Sequence, residues 1–316
     1  MEIAPGIHRI ETPLGDRFVC LYLLVGSEHA LLLDTGIDST PNEYLAPYLD
    51  EIGLAADKVR YVVNSHADFD HVAGNQSTKE LLPGALFMCH DLDLAQTEDI
   101  ELMISDRYGE YAQDHGIVDP DEALAFIRNA TRTCPIDFTL TGGESIRLDP
   151  DWTLEVWHTP GHSYGHLSLY DPRGHNLIIA DATLYNAVLR ADGQAAFPPT
   201  YRYVDTYLAS MQRIAATKAN FLFTSHYPVY QGADVAQFMA ESRVFVDRVD
   251  ENLIKALQTE HTLKDLTDLL SPDLGEWPAE SNAYACFPLL GHLERLVLHG
   301  RVTTGRRDSL LTYKLK

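Results

Sequence analysis

The stretch Asn64-Ser-His66-Ala-Asp68-Phe-Asp70-His71-Val-Ala-Gly74 decides how the rest of the chain is read. It follows Tyr61-Val-Val63, a run with the β-rich composition of a strand. Four side chains able to ligate a metal fall within six residues here. They cannot all be core packing, because unpaired polar groups in a core cost roughly several kcal/mol each. On a loop leaving a strand, His66 and Asp68 point one way and Asp70 and His71 another, which serves two metals a few Å apart. Two more histidines complete the set: His162 in His158-Thr-Pro-Gly-His162-Ser-Tyr-Gly-His166, and His226 in Thr-Ser-His226-Tyr-Pro. Asp181 lies at a strand end, and its two carboxylate oxygens can bridge both metals.

Outward from this loop the chain echoes itself. Leu21-Tyr-Leu-Leu-Val-Gly-Ser-Glu-His-Ala-Leu-Leu-Leu-Asp34 reads as strand, tight turn, strand and aspartate, and Ser168-Leu-Tyr-Asp-Pro-Arg-Gly-His-Asn-Leu-Ile-Ile-Ala-Asp181 has the same form. Tyr61-Val-Val-Asn-Ser-His66 likewise matches Phe221-Leu-Phe-Thr-Ser-His226. Two copies of one β-rich unit about a pseudo-twofold bring these strand ends to a common edge. Helical spacing over Thr78–Leu82 and Asp205–Lys218 alternates with the strands, which predicts sheets covered by helices.

Residues 91–138 have no counterpart in the echo and read as a helical insertion, either extra packing or a substrate wall. Their acids, Met103, Tyr108, Tyr111 and Phe126 recur at helical spacing. The tail from about 250 reads as a separate unit. Thr262 caps a helix over Leu263–Leu270, a second helix spans Asn282–His299, and strands over Arg301–Thr304 and Leu310–Leu315 form a hairpin. That order resembles a winged-helix module. Arg295, Arg301, Arg306, Arg307, Lys314 and Lys316 face a single acid, Asp308, in the same stretch. The expected division is therefore a catalytic domain over 1–245 and a winged-helix-like domain over 250–316. The second is a structural cap or dimer contact, or else a basic docking patch.

Composition narrows the partners. A chain of 316 residues, 45% hydrophobic and 22% charged, is ordinary for a globular protein. Asp and Glu outnumber Lys and Arg 46 to 24, a formal charge of −22. That charge repels phosphodiester backbones and anionic lipid, so a small-molecule substrate is expected rather than nucleic acid or membrane. The four cysteines, Cys20, Cys89, Cys134 and Cys286, form no CxxC pair. With no basic, apolar leader at the start, reduced thiols in the cytoplasm are expected. A homodimer is left open.

In its His-x-Asp-x-Asp-His loop, its later His162, Asp181 and His226, and its earlier Asp34, the sequence resembles the metallo-β-lactamase superfamily, whose signature is H-x-H-x-D-H followed by His, Asp and His. The resemblance covers about residues 5–245. It implies an α/β fold, an αββα sandwich with its metal site at one edge. It also implies that His66, residue 68 and His162 hold one metal, that Asp70, His71 and His226 hold the other, and that Asp181 bridges them. Asp34 resembles the family's aspartate that orients the ligand loop, and His166 resembles a residue of the pattern beside the site.

One departure stands out. Asp68 replaces the signature's second histidine, so Asp68, Asp70, Asp181 and a bridging hydroxide put four negative charges against two divalent cations. Zinc is the expected metal, with iron or manganese favoured to the extent that Asp68 ligates. Flavodiiron proteins resemble the chain at this place, but no flavodoxin domain follows. Alternatively Asp68 does not ligate and one site is half-occupied.

The resemblance implies a metal-dependent hydrolase whose bridging hydroxide, oriented by Asp70, attacks a small ester, lactone or thioester. The alternatives are a phosphodiesterase or nuclease of the same superfamily, or a diiron redox protein. A phenol near the metals would protonate the leaving group or stabilise the anionic intermediate. Tyr164, Tyr185 and Tyr227 are the candidates, with Tyr164 and Tyr185 preferred. Acyl-homoserine lactonases of the superfamily carry a catalytic tyrosine three residues past the bridging aspartate, and Tyr185 lies four past Asp181. Specificity is expected to come from 91–138 and from Phe197-Pro-Pro-Thr-Tyr-Arg-Tyr203.

Overall fold

The computed structural model describes residues 1–316. The first sheet has seven strands in chain order: β1 (Glu2–Ala4), β2 (Ile7–Leu14), β3 (Arg17–Val25), β4 (Ala30–Leu33), β5 (Val59–Val63), β6 (Leu86–His90) and β7 (Phe138–Leu140). The second sheet starts with β8 (Ser145–Asp149), β9 (Trp152–His158), β10 (Leu167–Asp171) and β11 (Asn176–Ala180). After a small ribbon of β12 (Val188–Leu189) and β13 (Ala195–Phe197), β14 (Phe221–Thr224) and β15 (Tyr230–Gln231) complete it in the order β15-β14-β11-β10-β9-β8.

The echo in the sequence is a repeat in the topology. β3 runs antiparallel to β4, and β4 parallel to β5. In the same way β10 runs antiparallel to β11, and β11 parallel to β14. The strands β4 and β11 are buried along their whole length, as expected of apolar strands covered on both faces. Each ends in a left-handed turn at a residue other than glycine, Asp34 at φ 65° and Ala180 at φ 43°. An L-residue there costs roughly 1–2 kcal/mol. Both turns lie at the edge where the ligand-bearing loops meet.

Three apolar clusters define the layers. A cluster of 19 buried residues, including Tyr22, Leu31, Val63, Trp152, Leu167 and Phe223, fills the space between the two sheets. Thirteen more, among them Leu32, Leu45, Leu49, Val62 and Phe87, seat the first helical layer on the outer face of the first sheet. The largest cluster, 37 residues, lies under the helices Val204–Thr217 and Ala233–Ala256 on the far face of the second sheet. The order is helix, sheet, sheet, helix, as the sequence implies.

The C-terminal region is helical with a three-stranded sheet of β16 (His261–Thr262), β17 (Val302–Arg307) and β18 (Leu310–Leu315) in the order β16-β18-β17. Thr262 caps the helix Leu263–Leu274 through a reciprocal pair with Asp265. The helix Ala233–Ala256 runs without a break across the 245–250 division expected from sequence. Leu263, Leu266, Trp277, Phe287 and Leu293 belong to the same cluster as Tyr207, Phe245 and Val249. Of the tail's basic side chains, Arg295 pairs with Asp205, Arg306 with Asp114 and Arg307 with Asp265. No helix is long and apolar enough to cross a membrane.

Candidate metal centre

The ligand loop starts where β5 stops. Asp34, at the end of the neighbouring β4, holds it: Ser65 donates its backbone N–H to Asp34 Oδ1 (2.6 Å) and its hydroxyl to Oδ2 (2.8 Å). The carboxyl also accepts from His71 Nδ1 at 2.8 Å. Asn64 and Asn75 exchange amide hydrogen bonds behind the loop, and Thr35 Oγ1 donates to Asn75. Gly74 is required by this tight seam, because a Cβ there would strike the Thr35 and Ile37 carbonyls. At Gly161, φ is 145° and the helix carrying Tyr207 comes too close for a side chain, which fixes the bend that delivers His162.

The hydrogen bonds assign one tautomer to three imidazoles. His66 Nδ1 donates to Ser65 Oγ (2.9 Å), His71 Nδ1 to Asp34, and His226 Nδ1 to the Phe18 carbonyl (2.9 Å). Each Nε2 lone pair is thereby turned to a common centre. His166 accepts from the Asp181 backbone N–H (3.2 Å), and its Nδ1 meets Thr159 Oγ1 (3.0 Å), so it anchors Asp181 from behind.

Asp181 Oδ2 is the hub, 3.1 Å from His226 Nε2, 3.6 Å from His71 Nε2 and 4.0 Å from His162 Nε2. Asp68 Oδ2 lies 3.0 Å from His162 Nε2 and 3.7 Å from His66 Nε2. Asp70 Oδ2 is 3.6 Å from His226 Nε2, and its Oδ1 is 3.9 Å from His71 Nε2. All seven residues expected from sequence come together. They form three sets with metal-ligand spacing: His66, Asp68 and His162; Asp70, His71 and His226; and His66, His71 and Asp181.

A cation fits this donor set. His66 Nε2, His71 Nε2 and Asp181 Oδ1 are buried without a hydrogen-bond partner, a state that buried polar atoms seldom tolerate. The potential is negative as well. Burial opposes a proton on His71, yet Asp34, Asp70 and Asp181 raise its basicity well above that of ordinary imidazole. Burial likewise opposes the charged form of Asp181, but His226 and His71 hold its carboxyl well below the usual range. Burial above all lowers His162 to about 4, against the pull of Asp68 and with the help of Arg107. Its ring is therefore a neutral donor.

Sequence reading missed Arg107. This buried side chain of the 91–138 insertion forks Asp68, Nε to Oδ1 at 2.7 Å and Nη2 to Oδ2 at 3.0 Å. Burial works against the Asp68 charge, but Arg107 and then His162 hold it well below the carboxylate range. The count of four negative charges against two divalent cations is corrected accordingly. Arg107 neutralises one, and the Asp68–Arg107 pair carries the same net charge as the neutral histidine of the usual signature. Nothing local announces Arg107, which is 39 residues from Asp68.

The two preferred tyrosines do not reach the centre. Tyr164 is exposed and stacks on Tyr203 with ring centroids 3.6 Å apart. Tyr185 stacks on Phe238 at 5.6 Å, in the apolar layer behind the second sheet. Leu184, the residue before it, is buried in the same layer, so neither position faces the metals. Tyr227 is buried there too, donating to the Ala187 carbonyl. Two other phenols line the cavity, Tyr284 and Tyr108, and the oxygen of Tyr108 accepts from the Phe69 N–H of the ligand loop at 3.3 Å.

The centre opens into a cavity of about 360 Å³. Asp68, Asp70, His162, Asp181 and His226 form its floor. Its walls come from Tyr108, Asp119 and Ile127 of the insertion, from Val188, Arg190 and Phe197, from Arg17, and from Glu280, Tyr284 and Phe287 of the C-terminal region. The tail, read from sequence as a cap or dimer contact, thus supplies part of the cavity wall.

Asp34→Asn tests the scaffold. Losing the charge that faces His71 Nδ1 is expected to weaken metal affinity about 10–100-fold, as such supporting carboxylates generally do. Competition with a chromogenic chelator reads the effect, and an unchanged affinity contradicts the role given to Asp34.

Residues 14–226 match the Metallo-beta-lactamase superfamily. Over 100 residues the chain is 33% identical to the mitochondrial persulfide dioxygenase of Homo sapiens, and that stretch is 31% of this chain and 34% of that protein. The match thus spans about a third of that relative's length. The fold is similar to a metallo-beta-lactamase family protein of Thermus thermophilus (TM-score 0.77, 24% identity, 100% of both chains). It is also similar to a beta-lactamase domain protein of Burkholderia ambifaria (TM-score 0.75, 20% identity, 100% of this chain and 94% of that one). A subclass B3 metallo-beta-lactamase of Bradyrhizobium japonicum matches 79% of this chain and 93% of its own at a TM-score of 0.55 and 19% identity. At these identities the structural likeness is one of fold.

Proposed function

Because this chain belongs to the metallo-β-lactamase superfamily, we propose that it is a dinuclear metal-dependent hydrolase of a small carboxylic ester, lactone or thioester. The observation that carries the reading is Asp181 Oδ2, set among His226, His71 and His162 where two ligand sets meet. Two divalent cations there would polarise a substrate carbonyl and lower the pKa of water towards neutrality.

The chain's own residues do the rest. Asp70, on the cavity floor, accepts a hydrogen bond from the attacking water and fixes its direction. Burial, with the Asp68 and Asp70 charges, pushes the Tyr108 phenol well above its ordinary value, so it keeps its proton. Its oxygen already accepts from Phe69 N–H, which leaves the O–H free to donate to an oxyanion or leaving group in the cavity. Phe69, Phe197, Tyr284 and Phe287 give the chamber an aromatic wall against which the apolar part of a substrate can pack. A volume near the lower end of the usual ligand-site range, about 300–1,000 Å³, favours a small substrate.

Arg17 points to an acidic group on that substrate. It lines the same cavity with its guanidinium 4.8 Å from the Phe197 ring centroid, and it makes no ion pair, whereas Arg190 is paired with Asp16. A panel of esters, lactones and thioesters, with and without a terminal carboxylate, tests the reading, with a bis-phosphodiester as control. Turnover of the acidic carboxylic substrates is expected. Arg17→Ala should raise KM for them about tenfold or more with kcat little changed, the loss of one charge-assisted hydrogen bond. Hydrolysis of the phosphodiester alone would sink the proposal.

A second reading is favoured by the similarity to the persulfide dioxygenase: an iron centre that oxidises a small persulfide with O₂. Iron in protein purified without added metal, with O₂ uptake on such a substrate and no hydrolysis, decides for it.

A further inference from the structure

The two ligand sets differ in one respect that the sequence pattern does not show. Asp70, in the Asp70–His71–His226 set, has only imidazoles within ion-pair distance. Asp68, in the His66–Asp68–His162 set, has both oxygens engaged by one guanidinium. The same Arg107 Nη2 lies 3.3 Å from His162 Nε2, so it faces two of the three donors of that set. On its other side the guanidinium carbon is 4.7 Å from the Phe287 ring centroid. Arg107 is 7% exposed, and Phe287 is 5% exposed. The cation is therefore desolvated, clamped between a carboxylate and an aromatic face, and has no second anion to turn to. A guanidinium does not give up its charge in a protein.

We infer that Arg107 makes the centre unequal, with the Asp70–His71–His226 set filling first and tightly and the His66–Asp68–His162 set filling second and weakly. Asp68 can still present Oδ2 to an incoming cation. The charge that would attract the cation is already neutralised, however, and a fixed positive group stands beside the donors. Phe287 holds that group in place, so the C-terminal helix Cys286–Leu298 sets the affinity of a site to which it contributes no ligand. The inference rests on the two-metal reading above.

The test is a metal titration of the chelator-stripped full-length protein with Co²⁺, followed by calorimetry, by the visible spectrum of the bound ion and by elemental analysis. Two steps are expected in the wild type, separated by about tenfold or more in Kd, or 1.4 kcal/mol per decade. Arg107→Met keeps a long side chain against Phe287 and removes the charge. It should tighten the weak step about tenfold or more while leaving the tight step within about threefold, because Asp68 is then an uncompensated anion. Asp68→Asn, a near-isostere, should abolish the weak step and spare the tight one, which keeps the idea testable if Arg107→Met does not fold. Two equal steps in the wild type overturn the inference, as does a weak step that Arg107→Met weakens or leaves unchanged. Failure to take up any cation tightly would overturn the metal-centre reading itself, an outcome distinct from two equal steps.

Discussion

Asp181→Asn is expected to strip the centre of bound metal and to lower kcat/KM on the best substrate by about a thousandfold or more. The size follows from what that one oxygen touches. Asp181 Oδ2 lies between His226, His71 and His162, and the neighbouring Oδ1 is buried without a partner. An amide of the same shape presents one neutral oxygen where two anionic oxygens stood, so it cannot serve both cations. Metal ions contribute on the order of several kcal/mol of transition-state stabilisation, and each 1.36 kcal/mol is about a factor of ten in rate. The fold should survive, because the main-chain bond from Asp181 N–H to His166 Nε2 remains. Elemental analysis, kcat/KM and the far-UV spectrum are read together. Full metal content with undiminished activity in a folded variant would mean that Asp181 is not the bridge.

The sequence is legible where function is written locally or written twice. The loop 64–74 carries four ligands in one turn of chain, and the repeat of β3–β4–β5 in β10–β11–β14 marks Asp181 as the counterpart of Asp34 and His226 as that of His66, at the same edge. Buried strands with continuous apolar runs also announce themselves, as in Ala30–Leu33 and Asn176–Ala180. Residues that act across the fold do not. Arg107 meets Asp68 over 39 positions of chain, and Phe287 comes from a region with no motif linking it to the site. Tyrosine placement fails for a further reason. The segment after Asp181 turns into the apolar layer, where Leu184 is buried and Tyr185 faces Phe238. A phenol's reach into a cavity depends on loop geometry that composition does not encode, so Tyr108 carries no signal beyond its helical spacing.

Arg107 also changes what the variant motif means. Counting charges along the chain makes the His-x-Asp-x-Asp-His loop more anionic than its histidine-rich relatives. Counting them in space restores the balance, because the insertion brings a cation to Asp68. The aspartate and the insertion are thus one feature. Substituting Asp68 by His to restore the common signature would leave Arg107 buried and unpaired, at a cost of roughly 3–5 kcal/mol.

A chain ending at Ala256 is expected not to fold cooperatively, although every metal ligand precedes that point. The fragment keeps the helix Ala233–Ala256 but uncovers one face of it. Val249 and Leu253 share their apolar cluster with Leu263, Leu266, Trp277, Leu289, Leu290 and Leu293, all of which would be gone. Each side chain left exposed forfeits about 1.5–3 kcal/mol of burial, against a whole-domain stability of roughly 5–15 kcal/mol. Four or five such losses are enough. Polar ties fail with them. Arg202, 4% exposed, forks Glu294 at 2.7 and 2.8 Å while holding Glu110 of the insertion at 2.9 Å. Without Glu294 one buried cation keeps half its partners. His292, which meets Tyr201 at 3.0 Å and Asp250 at 3.1 Å, is lost as well. The insertion then loses Phe287, the surface against which both Arg107 and Tyr111 rest. The expected result is an aggregating fragment with no sharp thermal transition and no near-UV signal. A soluble fragment with one cooperative melt and the full metal complement would show instead that the C-terminal region is an accessory, and that the cavity wall it supplies is dispensable to the centre.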